Sequence, residues 1–421
     1  MKKIAIALLL FFTFLFLSFN KHSRDDYSSY HSVLWADASG YYVYGPMWFI
    51  YGNDCKQMPL NLTEKTGNGF SFNQQTGRVI TKYTCGVALL QTPFFLTAHL
   101  LSAQLGFSSD GFSPIYHGAV MTAGVFYGLL GLFFSFLFLK KYFSQKVALL
   151  TVSAFFLSTN LFYYTLDASG FLHVYDFFLI AASALLTSRS YEDPRFKNIL
   201  LLFIVLALAV LIRPTNIMLL VFVIFFGSNS GMKERMLFIK THFKNITIAL
   251  IISLTVFIPQ LIYWNQSFNN PIVYSYGDEG FSYLLSPQLI SVWFSPRNGL
   301  FIYAPILFIS MAGMILSFLK KEKLTTPITM IFFLASYIFS SWWNYWFGCA
   351  MGARSFVDYY PLLMLPFAYA VSQIKNKSGM IALYAFCAAC VWLNMNIIYY
   401  YDGCFYGGEW DWQAYFKLIT D

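Results

Sequence analysis

The chain has 421 residues, of which 58% are hydrophobic and only 11% charged, with a mean hydropathy of +0.57. That balance excludes an ordinary soluble domain and places the protein in lipid. The net charge of +8 does not argue for nucleic acid, because the basic residues sit between apolar runs rather than on one face, and so read as topology signals.

Apolar runs of roughly 15 to 25 residues recur along the chain, the length needed to cross about 30 Å of hydrocarbon as helix. Barrel strands would be shorter and would alternate. The expected fold is an all-α polytopic membrane protein, a single membrane domain over 1–421, with about eleven transmembrane helices and a structured first extracytoplasmic loop carrying interfacial helices.

In chain order, Met1-Lys2-Lys3 and the run Ile4 to Phe19 read as a retained first span rather than a signal peptide, because no A-x-A-like cleavage site follows before Lys21. Residues 20–86, rich in Tyr, Gly, Asn and Asp, form an outer loop with its own structure. The run 87–105 carries Gln91, Pro93, His99 and Gln104. It is laid on the outer interface as an amphipathic helix, which extends the first outer loop over 20–113 and keeps Lys140 and Lys141 inside.

The remaining spans are 114–139, 146–163, 171–187, 198–211, 214–227, 245–264, 298–319, 325–342, 359–374 and 379–400. The pair 198–211 and 214–227 is broken at Arg213-Pro214, where proline removes a donor and the residue before it resists helix. A single tilted span there would reverse everything downstream.

This arrangement puts 17 of the 27 basic residues in short inner segments, against four of the 19 acids, Glu192, Asp193, Glu234 and Glu322. That is the pattern of a cytoplasmic N-terminus. The segments 20–86, 265–297 and 343–358 and the tail 401–421 all fall on the outer face, where function is expected. The six cysteines show no paired metal-type spacing; a disulfide at Cys55 or Cys85 on the outer side stays open.

The segment Trp35-Ala-Asp37-Ala-Ser-Gly40-Tyr41-Tyr42-Val-Tyr44 places one carboxylate among tyrosines. Asp37 is the general-base candidate, suited to the task if partial desolvation raises its pKa. The alternative is that Asp37 caps the helix running to Phe49. Tyr41 and Tyr44 are candidate sugar contacts.

His173 and Asp176, at i and i+3, share a helix face at the outer start of a span. They are candidates to bind a sugar or a metal, or to form a hydrogen-bonded structural pair. No HxxxH pattern or carboxylate cluster supports a dedicated metal site, so no cofactor is required, although a divalent cation stays open.

Four bases near membrane depth on the outer side, Lys82, Arg213, Arg297 and Arg354, suit a phosphate headgroup. Arg297 opens a span whose terminal amides add to an anion site. The run Trp342-Trp343-Asn344-Tyr345-Trp346 is either an interfacial belt or a platform for sugar rings and polyprenyl chains, with Trp343 as a sugar contact. Arg354 could instead pair with Asp358 at i+4.

Several short segments, in this order and on one topological side, resemble the C-type (GT-C) membrane glycosyltransferases, which include the protein mannosyltransferases and the aminoarabinose transferase of lipid A. They are the early acid Asp37, the segment Lys82-Tyr83-x-x-Gly86 leading to Pro93-Phe94-Phe95, the Arg213-Pro-Thr-Asn216 break, the segment Ser295-Pro-Arg297-Asn-Gly-Leu-Phe-Ile-Tyr303-Ala-Pro305, and Gly352-Ala-Arg354. The resemblance covers most of the chain. Two departures stand out: the acidic pair of the protein mannosyltransferases is here Asp37-Ala38, and their K-P-P is Lys82-Tyr83-Thr84.

The resemblance implies that Asp37 is the catalytic base and that Lys82, Arg297, Arg354 and, less directly, Arg213 bind the donor phosphate. The reaction implied moves one hexosyl or pentosyl group from a polyprenyl-phosphate sugar to a hydroxyl of a lipid, glycan or protein acceptor on the extracytoplasmic face, by inverting-type chemistry. The expected location is a bacterial inner (plasma) membrane, although the endoplasmic reticulum would give the same signals. Two other functions fit the residues: an envelope polysaccharide polymerase or ligase that uses outer arginines, and a secondary transporter or lipid flippase. Against transport, the candidate residues lie at span ends rather than at mid-membrane.

Overall fold

The computed structural model describes every residue except 1, 24–26, 28, 53, 60–61, 74–75, 228–231, 402–409 and 421. Helices carry the architecture. A short antiparallel hairpin, Ser71–Asn73 against Arg78–Ile80 with Phe72 opposite Val79, decorates the first loop.

Among the described residues, four helical segments are long and apolar enough to cross a membrane: Ile4–His22, Pro114–Leu139, Phe243–Phe268 and Lys377–Tyr400. Six more apolar helices, among them Gln145–Ser158, Phe196–Ile212, Leu307–Leu319 and Thr326–Ser340, hold 10–17 residues, short of the roughly 20 a crossing needs. The chain is an all-α membrane protein in which only some of the expected spans reach full length.

The shortening has local causes. The run expected over 146–163 stops at Ser158 and resumes at Leu161–Leu166. The run over 298–319 is split at Ala304-Pro305 into Leu300–Tyr303 and Leu307–Leu319, because proline interrupts the ladder. Large apolar side chains of Ile4, Phe12 and Phe16, of Ile251 and Leu254, and of Phe318 and Trp392 are exposed. Surfaces of that kind are stable against lipid tails.

The bundle has two chemically distinct ends. At one end, Lys141 Nζ lies 2.6 Å from Glu192 and 2.8 Å from Ser188 Oγ, and the Arg235 guanidinium sits 3.6 Å over the Tyr191 ring. At the other end, Asp37, His173, Arg213, Arg354 and Asp358 gather. The Leu172–Glu192 helix, 21 residues long, joins the two over about 30 Å.

Phe196–Ile212 runs from the Lys141 end to Arg213, and Pro214–Phe225 returns, bringing the Phe226 ring to 5.4 Å from Phe138 and 5.6 Å from Tyr142. The chain therefore turns back at Arg213-Pro214 and does not continue as one tilted helix.

Gly86–Ser102 lies along the half of Pro114–Leu139 remote from Lys140. Tyr127 Oη donates to Leu90 O at 3.0 Å, and His99 Nδ1 is 2.7 Å from Tyr116 Oη. The helix thus does not carry the chain to the Lys141 end. Lys2–His22 docks through Ser18 Oγ, which donates to Leu166 O at 2.6 Å, and through Phe14 against Phe156. Cys85 is a buried free thiol, so it forms no disulfide; Cys349 is disulfide-bonded, and the Cys55 side chain lies outside the described residues.

Candidate active site

Asp37 opens the short helix Asp37–Tyr42. The turn before it is tight: Ala36 adopts φ 49° and ψ −123°, a conformation that favours glycine. Its amide donates to Thr66 O at 2.9 Å. Ser39 Oγ donates to Ala36 O at 2.8 Å, and Gly69 permits the close approach, since a Cβ there would stand 1.9 Å from Ala36 O.

One turn after Asp37, Gly40 leaves room for the Tyr83 ring, because a Cβ at 40 would lie 2.3 Å from Tyr83 Cδ2. The Tyr83 hydroxyl consequently reaches Asp37 Oδ1 and donates to it at 2.5 Å. Arg354 Nη2 holds the other oxygen, Oδ2, at 3.0 Å. The carboxylate therefore faces two side chains and does not cap the helix terminus, the alternative left open for it. It keeps 30% of its side-chain exposure, against 14% for Arg354, so a hydroxyl from outside can reach it.

Burial works to raise the Asp37 carboxyl, but the charge of Arg354, the Tyr83 hydroxyl and the charge of Lys82 together hold it below its ordinary value. The expectation of a raised pKa is corrected: desolvation is present and is outweighed. Burial and the neighbouring Asp37 charge push the Tyr83 phenol well up, which keeps it a donor.

Arg354 does not pair with Asp358, as the i+4 spacing suggested. It follows Gly352, which sits at φ 65° where a Cβ would meet Tyr303 Cβ at 2.9 Å. Asn160 Nδ2 donates to Met351 O at 2.8 Å, and Tyr360 Oη donates to Asn160 Oδ1 at 2.6 Å. Pinned this way, the turn aims Arg354 past the Phe171 ring toward Asp37.

Asp358 is instead fully buried, with His173 Nδ1 at 2.8 Å and Arg213 Nη1 at 2.8 Å. The second contact is an ion contact without hydrogen-bond alignment, since neither atom counts a hydrogen-bond partner. Asp176 Oδ2 accepts from Asn216 Nδ2 at 2.9 Å, and Tyr359 Oη donates to Asn216 Oδ1 at 2.7 Å. His173 and Asp176 do share a helix, yet they take different partners and are sealed from solvent. They form a polar floor under the site rather than a sugar contact.

Lys82 Nζ is 2.6 Å from Glu279 Oε1 and 5.6 Å from the centroids of Tyr83 and Tyr276. Ser275 Oγ donates to Lys82 O at 2.7 Å, so the segment around 275–280 crosses directly over the site. Tyr276 is wedged between Tyr83 and Trp342. The neighbouring Trp343 ring is exposed, and its backbone amide donates to Gly280 O at 2.9 Å.

Tyr41 packs its ring 4.4 Å from Tyr83, and Tyr44 Oη donates to Tyr83 O at 2.7 Å. Both are buried and act behind Tyr83, positioning it, rather than presenting a face to a sugar. Arg297 stands on a different wall, its guanidinium 4.0 Å over the Trp346 ring.

The structure thus brings Asp37, Lys82 and Arg354 together, sets Arg213 behind them on Asp358, and holds Arg297 apart. Sequence reasoning missed Tyr83, Glu279, Asn160 and Asn216 as working residues. The one available signal was Gly40, one helical turn from the acid. Among the described residues, no group of three or more His, Cys, Asp or Glu is placed to share a metal. No protein-family model matches the chain, and no curated protein does.

Proposed function

We propose that the protein is a membrane glycosyltransferase that moves a sugar from a polyprenyl-phosphate donor to an acceptor hydroxyl on the extracytoplasmic face. The observation that carries this reading is a solvent-reachable carboxylate, Asp37, held ionised between the Arg354 guanidinium and the Tyr83 hydroxyl, with a second cation, Lys82, acting on it.

In the reaction, the acceptor oxygen forms a bond to the anomeric carbon while the bond from that carbon to the phosphate oxygen breaks. The phosphate oxygen keeps the electron pair, and Asp37 takes the acceptor proton. Arg354 and Lys82 neutralise the charge that grows on the departing phosphate, an interaction stronger in the transition state than in the ground state. Arg213, held from below by Asp358, adds positive potential. A single displacement with one base inverts the anomeric configuration.

The shared use of Arg354 gives the site a sequence of events. In the empty site Arg354 lowers the basicity of Asp37. An arriving donor phosphate competes for the same guanidinium, and the carboxylate then becomes a better base at the moment a proton must be taken. The basic segments at the Lys141 end support a cytoplasmic location for that end, hence a lipid-linked donor at the Asp37 end, as in a bacterial plasma membrane.

The test is release of free polyprenyl phosphate from a panel of polyprenyl-phosphate sugars by membranes carrying the wild type or Asp37→Asn. Consumption of one donor by the wild type, with a loss of about 10²–10⁴-fold in the variant, supports the proposal. If both are inert with every donor while envelope lipids still redistribute across the membrane, the protein is a transporter instead.

A further inference from the structure

The segment that crosses over Lys82 continues into a run with no charged residue, from Gly280 to Pro296, although Asp278 and Glu279 precede it and Arg297 follows it. Phe281, Leu284 and Phe294 in this run are exposed, and Leu285 and Ile290 stand out at 97% and 77%. A contiguous apolar patch of that kind calls for a partner other than water.

The depth of the run follows from the helix it lies against. Thr326–Ser340 brings its Ser340 end to the Asp37 end of the bundle, where the Phe339 ring meets the Arg213 guanidinium at 5.7 Å. Side chains on a helix lean toward its N-terminus, here away from the site and toward Thr326. Tyr337 Oη donates to Leu284 O at 2.6 Å, so Leu284 sits at or below Tyr337, about one turn inside the helix end. The Trp293 side chain reaches further. Its Nε1 donates to Ser336 Oγ at 3.1 Å and its ring stacks 5.9 Å from Phe332, a residue on the order of 10 Å below Ser340.

The backbone is equipped for that depth. The Tyr283 and Gln288 amides donate to the carbonyls of Ser341 and Ser340 at 3.0 and 2.9 Å, and the Leu284 and Ser286 amides donate to those of Phe281 and Tyr283. Non-helical chain is tolerated in hydrocarbon only when protein satisfies its polar groups in this way. Through Tyr337 and Phe333, which touch Leu284 and Trp293, the patch is also continuous with the exposed apolar face of the Thr326–Ser340 helix.

We propose that residues 281–294 dip into the outer leaflet and rest on lipid acyl chains through Leu284, Leu285 and Ile290, and that this anchor steadies the strap over the Asp37 site. Strap and anchor are one piece of chain: Ser275 and Glu279 hold Lys82, and Tyr276 and Phe281 pack edge-on against Trp342 at 5.9 and 5.1 Å. The segment 265–297, expected to lie wholly on the outer face, then has a part that re-enters the membrane. The inference does not depend on the transferase reading.

The experiment is electron paramagnetic resonance on the full chain in vesicles of phosphatidylethanolamine and phosphatidylglycerol, with a nitroxide on Leu285→Cys or Ile290→Cys. Asp278→Cys serves as the control in water, and wild type treated with the label as the blank. Power saturation with oxygen and with an aqueous nickel chelate should place the labels at 285 and 290 about 5–10 Å below the headgroups and the label at 278 in water. Adding Leu285→Glu to Asp278→Cys should narrow the spectrum at 278, because the strap loses its anchor.

Leu285, Ile290 and Asp278 are all exposed, so these changes leave the packed bundle intact. The proposal is overturned if the labels at 285 and 290 meet the nickel chelate as freely as the label at 278, which would turn the patch to water or to a protein partner. It is equally overturned if Leu285→Glu leaves the spectrum at 278 unchanged.

Discussion

Tyr83 donates its hydroxyl to the Asp37 carboxylate on the side opposite Arg354, so this partly exposed acid is clamped by a phenol and a guanidinium at once. Tyr83, which stands where the motif that this segment resembles has proline, is thus the residue that orients the Asp37 carboxylate.

The pH response follows from the sign of the Asp37 shift. Its carboxyl is held below the ordinary value, so it is ionised throughout the neutral range. The kcat/KM for polyprenyl phosphate release should stay flat from pH 8 down to about pH 5 and fall only below about pH 4. The linked stability is present above the unfolded-state pKa and is lost as pH falls through the lowered folded one. Removing a group that lowers the pKa moves the acid limb upward, further for Arg354→Gln than for Tyr83→Phe. Limbs that coincide with the wild type in both variants would remove Asp37 from the role of base.

Lys82 is neutralised in the resting site by Glu279 at 2.6 Å, with both side chains about one-third exposed at 35% and 29%. Partly exposed pairs contribute on the order of 0–1 kcal/mol. Glu279→Gln should therefore strengthen donor binding by no more than about fivefold, read as a lower KM at unchanged kcat. Lys82→Gln should raise KM and lower kcat together, because the cation also faces the leaving group.

Asp358 joins His173 and Arg213; the acid and the imidazole are buried, and the Arg213 side chain keeps 15% exposure. Asp358→Asn leaves Arg213 as a largely buried charge without its counter-ion and should cost up to about 3 kcal/mol, seen as a lower thermal midpoint in detergent. Arg213→Met combined with Asp358→Leu should cost less than the sum of the two single changes, since the pair is removed whole. Additive losses would show that the contact contributes nothing by itself.

The strained turn at Ala36 and the space at Gly40 predict opposite outcomes for neighbouring substitutions. Ala36→Gly relieves a backbone cost of about 1–2 kcal/mol and should raise the thermal midpoint with activity retained. Gly40→Ala puts a Cβ into the Tyr83 ring and the Gly69 carbonyl. It should lose at least as much transfer activity as Tyr83→Phe, measured by the same release assay.

How much of this was legible beforehand varies with the range of the interaction. Asp37 stood out as a lone acid among tyrosines. The reversal at Arg213-Pro214 was readable because proline acts on its own backbone. The i+4 pair left open for Arg354 and Asp358 does not form, because the acid that the fold brings to Arg354 is Asp37, from the far end of the chain. The lengths of the apolar helices were overestimated because interruptions such as Ala304-Pro305 and Thr159-Asn160 sit inside runs that hydropathy alone treats as continuous.

By itself the sequence determined the lipid environment and the helical class, since apolar length acts residue by residue. Only the tertiary structure decided which cation meets which acid. Four bases and several carboxylates were available at one end of the bundle. The choice among them depends on glycine-sized gaps at 40, 69 and 352 and on buried amides at Asn160 and Asn216, which bring residues hundreds of positions apart within hydrogen-bond distance. Close packing of that kind has no periodic signature along the chain, so the direction of the Asp37 shift and the sealing of His173 and Asp176 appear only once the helices are together.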